Sequence, residues 1–421
     1  MIRIEATGAT HPGQRRDNNE DNLYVNDELG LYIVSDGMGG HAAGEVASQM
    51  AVEVVVKRLE HSRKVIEQVR RHLIHPDTLA TLMMRAVEEA CEQVYTHAQE
   101  EASRTGMGCT LTALLIAGSK AIMAHVGDTR LYLHREGELH QLSTDHTMVA
   151  DLMRAGVFTA EQAQGSRYAH VLTRSVGTQA SVQVEKLVLD VLPCDRFVIC
   201  SDGLSDYLFE QQHWFREQLE QQPLEDLPSS LIQFANNAGG HDNITVVAVD
   251  ALPDDEAGLN VEMPPGSQTG VDLATVREVF LFRGLSLAQM SRVMNICVVQ
   301  TLRDGEHVMS AGGLCDRMII VMEGEVNMER VGAEPRLVGV GEHIGAMTLL
   351  HPCQCRFSLV ASGRTRVLSI ERAAFRRLLQ IKPRLGIVLL ERLGREVSLE
   401  LSQANDLTEH AFAAVEGMEP T

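Results

Sequence analysis

"LYIVSDGMGGHAAGE", residues 31–45, runs four apolar residues, Leu31 to Val34, straight into Ser35, Asp36 and Gly37. An apolar run of this length, bounded by turn residues, reads as a short buried strand. The strand therefore ends on a carboxylate, in a loop stripped of bulky side chains at Gly37, Gly39 and Gly40. Asp-Gly alone is a common turn signal. Recurrence gives the pattern its meaning. "RFVICSDG", 196–203, is a second apolar strand ending on Asp202, and "GGHDNITVVAVD", 239–250, sets Asp242 just before a third. "RRDNNEDNLYV", 15–25, puts Glu20 and Asp21 ahead of a fourth.

A sheet brings its strand ends together, so these carboxylates can converge on one rim. A cluster of carboxylates repels itself and would have to protonate. Divalent cations remove that cost. Oxygen ligands without His or Cys suit Mg²⁺ or Mn²⁺. The glycines let backbone approach a ligand closely, so the Gly37 carbonyl can ligate as well.

Composition bounds the rest. A chain of 421 residues exceeds one ordinary core and implies two or three domains. Apolar residues at 44% and charged residues at 22% fit a soluble globular protein. No apolar run is long enough to cross a bilayer, and "MIRIEATGAT" carries no secretory signal, so the default expectation is cytoplasmic. A formal charge of −20 argues against general affinity for nucleic acid or a membrane surface. The eight cysteines are scattered without a CxxC pair. Cys353-x-Cys355 is the one close pair, read as buried thiols or as a redox or metal sensor.

The stretch 250–270 has five acids, no Lys or Arg, and Pro264-Pro265, and reads as a linker. The expected division is 1–250, a linker at 251–271, 272–400, and a tail at 401–421. In the first part, Val46, Met50 and Val54, and then Leu79, Leu82, Met83, Ala86, Val87, Ala90 and Val94, form helical stripes. Hairpin breaks fall at Gly118-Ser119 and Glu136-Gly137. The fold class is α+β, layered, with antiparallel sheets. In the second part a helical stretch at 272–295 precedes Gly-punctuated strands to about 370 and a helical tail.

The motifs "GQRRDNNEDN", "IVSDGMGGHAAGEVAS", "GMGCTLTALLI", "AHVGDTRLYLHREGEL", "LSTDHTMV", "VLTRSVG", "VICSDGLSD" and "GGHDNITVVAV" follow one another over residues 13–249. In this order they resemble the bacterial PPM-type, metal-dependent protein serine/threonine phosphatases. The resemblance implies an α/β/β/α sandwich with two metal ions, and in bacterial members often a third, at one end. By position, Asp36 would bridge two ions, and Asp202 and Asp242 would complete one site. The Gly37 carbonyl and Glu20, directly or through water, would serve the other, with Asp21 supporting these ligands from behind. Arg16 would take the substrate phosphate, and Asp128 would help hold the third ion. Hydrolysis by a metal-activated water, without a phospho-enzyme, follows from the family. Animal-type members carry a proton-donating His two residues after the bridging Asp. Here that position is Met38, and His41 is the nearest substitute. The segment 143–175 matches the family's flap, which is expected to shape substrate choice, with Asp145 and His146 structural. Implied partners are phosphoprotein substrates and a cognate Ser/Thr kinase. A second class of function, a phosphatase-like scaffold that docks partners without turnover, is separated from the first by completeness of the ligand set.

Residues 273–400, through "VFLFRGLSLAQMSRVM", "RDGEHVMSAGG", "MIIVMEGEVNM" and "VGVGEHIGAMTLLHPCQCRFSLVAS", resemble the cyclic-nucleotide-binding domain family. That implies a small β-barrel with helices at both ends, with Gly305, Gly313, Gly324 and Gly341 at its turns. The family's cassette uses a Glu for the ribose and an Arg for the cyclic phosphate. Ala346 and Cys355 stand at those positions, with Arg356 one residue late. In a strand a one-residue shift turns the side chain to the other face. A cyclic nucleotide bound in the usual way is therefore not expected; another ligand, a partner or a dimer contact is. Arg356, Arg364 and Arg366 read as solvated arginines or as an anion site. The apolar tail positions from Leu378 to Leu390 read as barrel-capping core or as a homodimer helix.

Overall fold

The structure, a computed structural model, describes residues 2–39, 43–101, 104–164, 166–253, 273–330 and 334–416. His41, Gly165 and most of the expected linker lie outside the described residues. The chain divides into two compact units, Met1–Val261 and Glu262–Thr421.

Strand Leu31–Ser35 is buried at every residue, so both of its faces meet protein. It belongs to a five-stranded antiparallel sheet whose spatial order is Glu185–Asp190, Lys120–Val126, Leu111–Ala117, Leu31–Ser35 and Asn22–Asn26. The other sheet runs Ile2–His11, Ile244–Pro253, Arg196–Cys200, Arg130–Arg135 and Glu138–Gln141. Leu31–Ser35 packs against Ile244–Pro253 and Arg196–Cys200, which sets the two sheets face to face. Continuous apolar runs are what strands covered on both faces require.

Helices close the outer faces. Ala43–His61 and Pro76–Glu100 pack through Ala47, Ala51, Val55, Met83, Val87 and Val94 onto the sheet side of Leu31, Ile33 and Leu115. Gln212–Gln221 and Leu227–Asn237 pack through Phe215, Leu219 and Leu231 onto Val198, Val246 and Ala248. The result is the expected helix–sheet–sheet–helix sandwich. Both hairpin breaks fall between paired strands, with Gly118, Glu136 and Gly137 all at positive φ. The segment 143–175 holds helices Met148–Arg154 and Ala160–Gln164. Thr147 caps the first, accepting from the Ala150 N–H at 3.2 Å, and Gly156 at φ 71° follows its end.

In the second unit the strands Cys297–Leu302, Ser358–Glu371, Arg317–Glu329 and Arg336–Val338 lie side by side. His307–Met309 also pairs with Ser358–Glu371, and His343–Ile344 with Arg317–Glu329. Leu314–Cys315 pairs separately with Cys353–Gln354. Among the described residues no pairing closes this sheet into the expected barrel. Its turns use Gly305, Gly324 and Gly341 at positive φ, whereas at the remaining turn the left-handed residue is Gly312, one before the expected Gly313. The helical stretch after 272 splits into Leu273–Glu278 and Leu287–Met294. Gly284 at φ 67° breaks it, and a capping box of Ser286 and Gln289 starts the second helix. The tail likewise divides at Pro383 into Arg372–Ile381 and Pro383–Glu416, because proline removes an N–H and restrains the residue before it.

Candidate metal centre

Asp36 leaves Leu31–Ser35 at the end of the strand and is held by the neighbouring chain. Its N–H donates to Thr110 Oγ1 at 3.0 Å, and its carbonyl accepts from the Thr110 N–H at 2.8 Å. Asp202 opens the short helix Asp202–Ser205 directly after strand Arg196–Cys200. Asp242 precedes Ile244–Pro253; its Oδ1 accepts from the Asn243 N–H at 2.8 Å, and its Oδ2 from Arg16 at 2.7 Å. The loop before Asn22–Asn26 is pinned by Asn243, whose Oδ1 accepts from the Glu20 N–H at 2.8 Å and whose amide donates to the Asn18 carbonyl at 2.8 Å. Asp21 Oδ2 accepts from Thr245 at 2.7 Å and from Ser201 at 2.9 Å.

The backbone here is packed too closely for side chains. A Cβ at Gly37 would stand 2.2 Å from the Gly44 carbonyl oxygen and 2.5 Å from that of Glu20. A Cβ at Gly203 would lie 2.0 Å from the Asn243 carbonyl oxygen. The glycine of "SDG" is therefore a packing requirement in both copies.

The carboxylates share one field. Desolvation first, then the charges of Asp21, Asp202, Asp128 and Asp242, push the Asp36 carboxyl well above the usual carboxylate range. Burial pushes Asp21 up to about 7 against its two hydroxyl hydrogen bonds. Desolvation, then Asp202, Asp145 and Asp206, raise Asp128. Arg16 is half exposed; desolvation works against its charge, but Asp242, Glu20 and Asp202 hold its pKa above the ordinary value. Asp145 is engaged with Arg130 through bonds of 2.6–3.1 Å, and the His146 carbonyl accepts from the Thr173 N–H at 2.7 Å.

Two residues that sequence reasoning passed over enter this neighbourhood. Asp206 follows Asp202 by one helical turn and is pushed up to about 6 by burial and then by Asp202. That spacing was visible in "SDGLSD". His170, returning from the flap, stands 3.8 Å from Asp202 and 3.7 Å from Asp206. No local pattern announces it, because only the path of the flap brings it there.

Residues 7–235 match the family model described as protein phosphatase 2C. The chain belongs to the protein phosphatase 2C family. Over 258 residues, 60% of this chain, it is 36% identical to the protein phosphatase PhpP of Streptococcus pneumoniae and covers 99% of that protein. Over 251 residues it is 34% identical to the serine/threonine phosphatase stp of Listeria monocytogenes, covering 96% of it. Among solved structures, the serine/threonine phosphatase PstP/Ppp of Mycobacterium tuberculosis superposes with a TM-score of 0.53 at 31% identity, over 60% of this chain and all of that one. A structure of the PstP catalytic domain in complex with two manganese ions gives 0.52 at 31% identity, again over 60% of this chain and all of that one. Residues 299–382 match the model described as cyclic nucleotide-binding domain.

The phosphatase family implies divalent metal, and this chain's own residues fit it. Asp21 Oδ1 and Asp202 Oδ1 are buried with no hydrogen-bond partner. Buried carboxylate oxygens rarely stay unsatisfied. The grouped donors are carboxylates beside glycine backbone, the chemistry of a hard cation. In the second unit Ala346 and Cys355 are buried while Arg356, beside Cys355 in the stretch between strands Cys353–Gln354 and Ser358–Glu371, is exposed.

Proposed function

We propose that the first unit hydrolyses phosphoserine and phosphothreonine in proteins with water as the attacking species, using Mn²⁺ or Mg²⁺. The observation that carries this is the grouping of Asp21, Asp36, Asp128, Asp202 and Asp242 in one field, with two of their oxygens buried and unbonded. Asp36, Asp202, Asp242, Glu20 and the Gly37 carbonyl would hold two ions, with Asp21 behind them and Asp128 serving a third. When bound, such a pair supplies the Lewis acidity that makes water a nucleophile at neutral pH and balances phosphoryl charge.

The protein's own groups supply orientation. Arg16, at the exposed edge of the carboxylates, presents a planar fork suited to two phosphoryl oxygens. Its bond to Asp242 holds it next to the acidic group without burying it. Met38 cannot donate a proton, so the leaving alkoxide takes one from His41 or from solvent. Flap helices Met148–Arg154 and Ala160–Gln164 supply the surface that selects among phosphoproteins. The second unit acts as the sensor of a ligand other than a cyclic nucleotide, and its exposed apolar positions Ile387 and Leu390 suit a homodimer contact. A cognate Ser/Thr kinase and a cytoplasmic site complete the reading. In support, no helix among the described residues is long and apolar enough to cross a membrane.

The test is hydrolysis of a phosphothreonine peptide with Mn²⁺. Asp36→Asn and Asp202→Asn should each lose about a hundredfold or more in kcat, roughly 3 kcal/mol of barrier. Wild-type activity in both variants would overturn the assignment.

A further inference from the structure

The second unit holds a group of metal-type ligands that the phosphatase reading does not use. Strand His343–Ile344 pairs with Arg317–Glu329 through the register Ile320↔His343, which fixes the backbone of His343. Helix Pro383–Glu416 carries Glu396 and Glu400, four apart and so on one face. Glu396 Oε1 stands 3.5 Å and Glu400 Oε1 3.7 Å from His343 Nε2. The three ligand atoms all lie within 4.8 Å of one another.

Those separations are informative. A charge-assisted hydrogen bond would draw nitrogen and oxygen to about 2.8 Å. Here both oxygens stop short, and Nε2 is sealed from solvent with no hydrogen-bond partner. The Phe280 ring, 4.7 Å from the imidazole, packs against it. Two ligands on a tetrahedral ion with bonds of about 2.0–2.1 Å lie about 3.4 Å apart. Neighbouring ligands on an octahedral ion of the same bond length lie about 3.0 Å apart. The two separations from His343, 3.5 and 3.7 Å, lie nearer the four-coordinate value than the octahedral one. An imidazole nitrogen selects a transition dication over Mg²⁺ or Ca²⁺. Glu400 is partly exposed, which leaves a path for the ion and a place for water as fourth ligand.

We propose that His343, Glu396 and Glu400 bind one four-coordinate dication of the zinc class, which ties the C-terminal helix to strand His343–Ile344. The site lies in a different compact unit from the phosphatase carboxylates and shares no residue with them. It stands three residues from Ala346, so the unit that lacks the cassette's acid has a metal ligand beside the same turn. The inference does not depend on the phosphatase assignment.

The experiment uses the full chain, stripped of metal and titrated with Zn²⁺ alone by calorimetry, and with Co²⁺ followed by visible absorption. Wild type should hold one more Zn²⁺ per chain than His343→Ala or Glu400→Gln. Its Co²⁺ complex should show the intense visible bands of a four-coordinate ion, and both variants should lose them. Asp36→Asn should keep those bands, and His343→Ala should keep Mn²⁺-dependent peptide hydrolysis. Glu400→Gln preserves shape at a partly exposed position, so it decides the question even if His343→Ala folds poorly. Equal Zn²⁺ counts and identical Co²⁺ spectra in wild type and Glu400→Gln would overturn the proposal.

Discussion

A single methyl group probes the phosphatase centre at the residue scale. Gly44 sits in the first turn of helix Ala43–His61, where alanine would ordinarily be favoured by about 1 kcal/mol. A Cβ there would stand 2.2 Å from Glu20 Oε2, the far end of a side chain that can move, and 2.9 Å from the Gly37 carbonyl carbon, which is backbone. At Gly37 the added Cβ would instead meet two backbone carbonyls, at 2.2 and 2.5 Å. Gly44→Ala is therefore expected to displace Glu20 and raise the Mn²⁺ concentration needed for half-maximal activity, with the smaller change in Tm. Gly37→Ala should cost about 1–3 kcal/mol of stability in thermal unfolding, the range for overpacking. Unchanged Mn²⁺ dependence in Gly44→Ala would remove both Glu20 and the Gly37 carbonyl, the two groups the new methyl presses on, from the proposed ligands. At this scale the sequence was legible wherever a residue type has one physical use. Glycine beside a strand-end Asp is such a case. His170 was not legible, because its neighbours Asp202 and Asp206 are remote in sequence and the flap alone brings them near.

Elements were legible to the extent that their periodicity is local. "LYIVS" and "RFVIC" read as buried strands and form them, since continuous apolar runs need cover on both faces. The helix expected after 272 was read as continuous because its apolar spacing continues. Gly284 in the left-handed region and the Ser286 cap interrupt it. Burial in the second unit carries a functional consequence. Cys355, the residue that the family resemblance aligns with the arginine, is buried, Arg356 beside it is exposed, and Ala346 is buried at the start of its turn. Calorimetry with cyclic AMP and cyclic GMP should therefore show no micromolar binding. Such binding would mean that other side chains supply the ribose and phosphate contacts.

At the scale of the molecule, the phosphatase motifs all lie within unit Met1–Val261, and the curated relatives of about this length correspond to that unit alone. A fragment of residues 1–261 should therefore fold and keep Mn²⁺-dependent hydrolysis of a phosphothreonine peptide within about threefold of the full chain, roughly 0.7 kcal/mol. A drop beyond tenfold would show that the second unit completes the catalytic fold. The formal charge of −20 belongs to this scale as well, since it opposes general attraction to polyanions.

The sequence by itself determined the strand ends, their carboxylates, the glycines beside them and the order of two families' motifs along one chain. Each of those follows from chemistry within a few residues. Tertiary structure alone decided which carboxylates share a field, that two of their oxygens stay buried without a bond, and that His343 meets Glu396 and Glu400 across some fifty residues. Convergence of that kind depends on sheet register and helix placement. These are set by burial summed over whole layers, and no short stretch of sequence contains that sum.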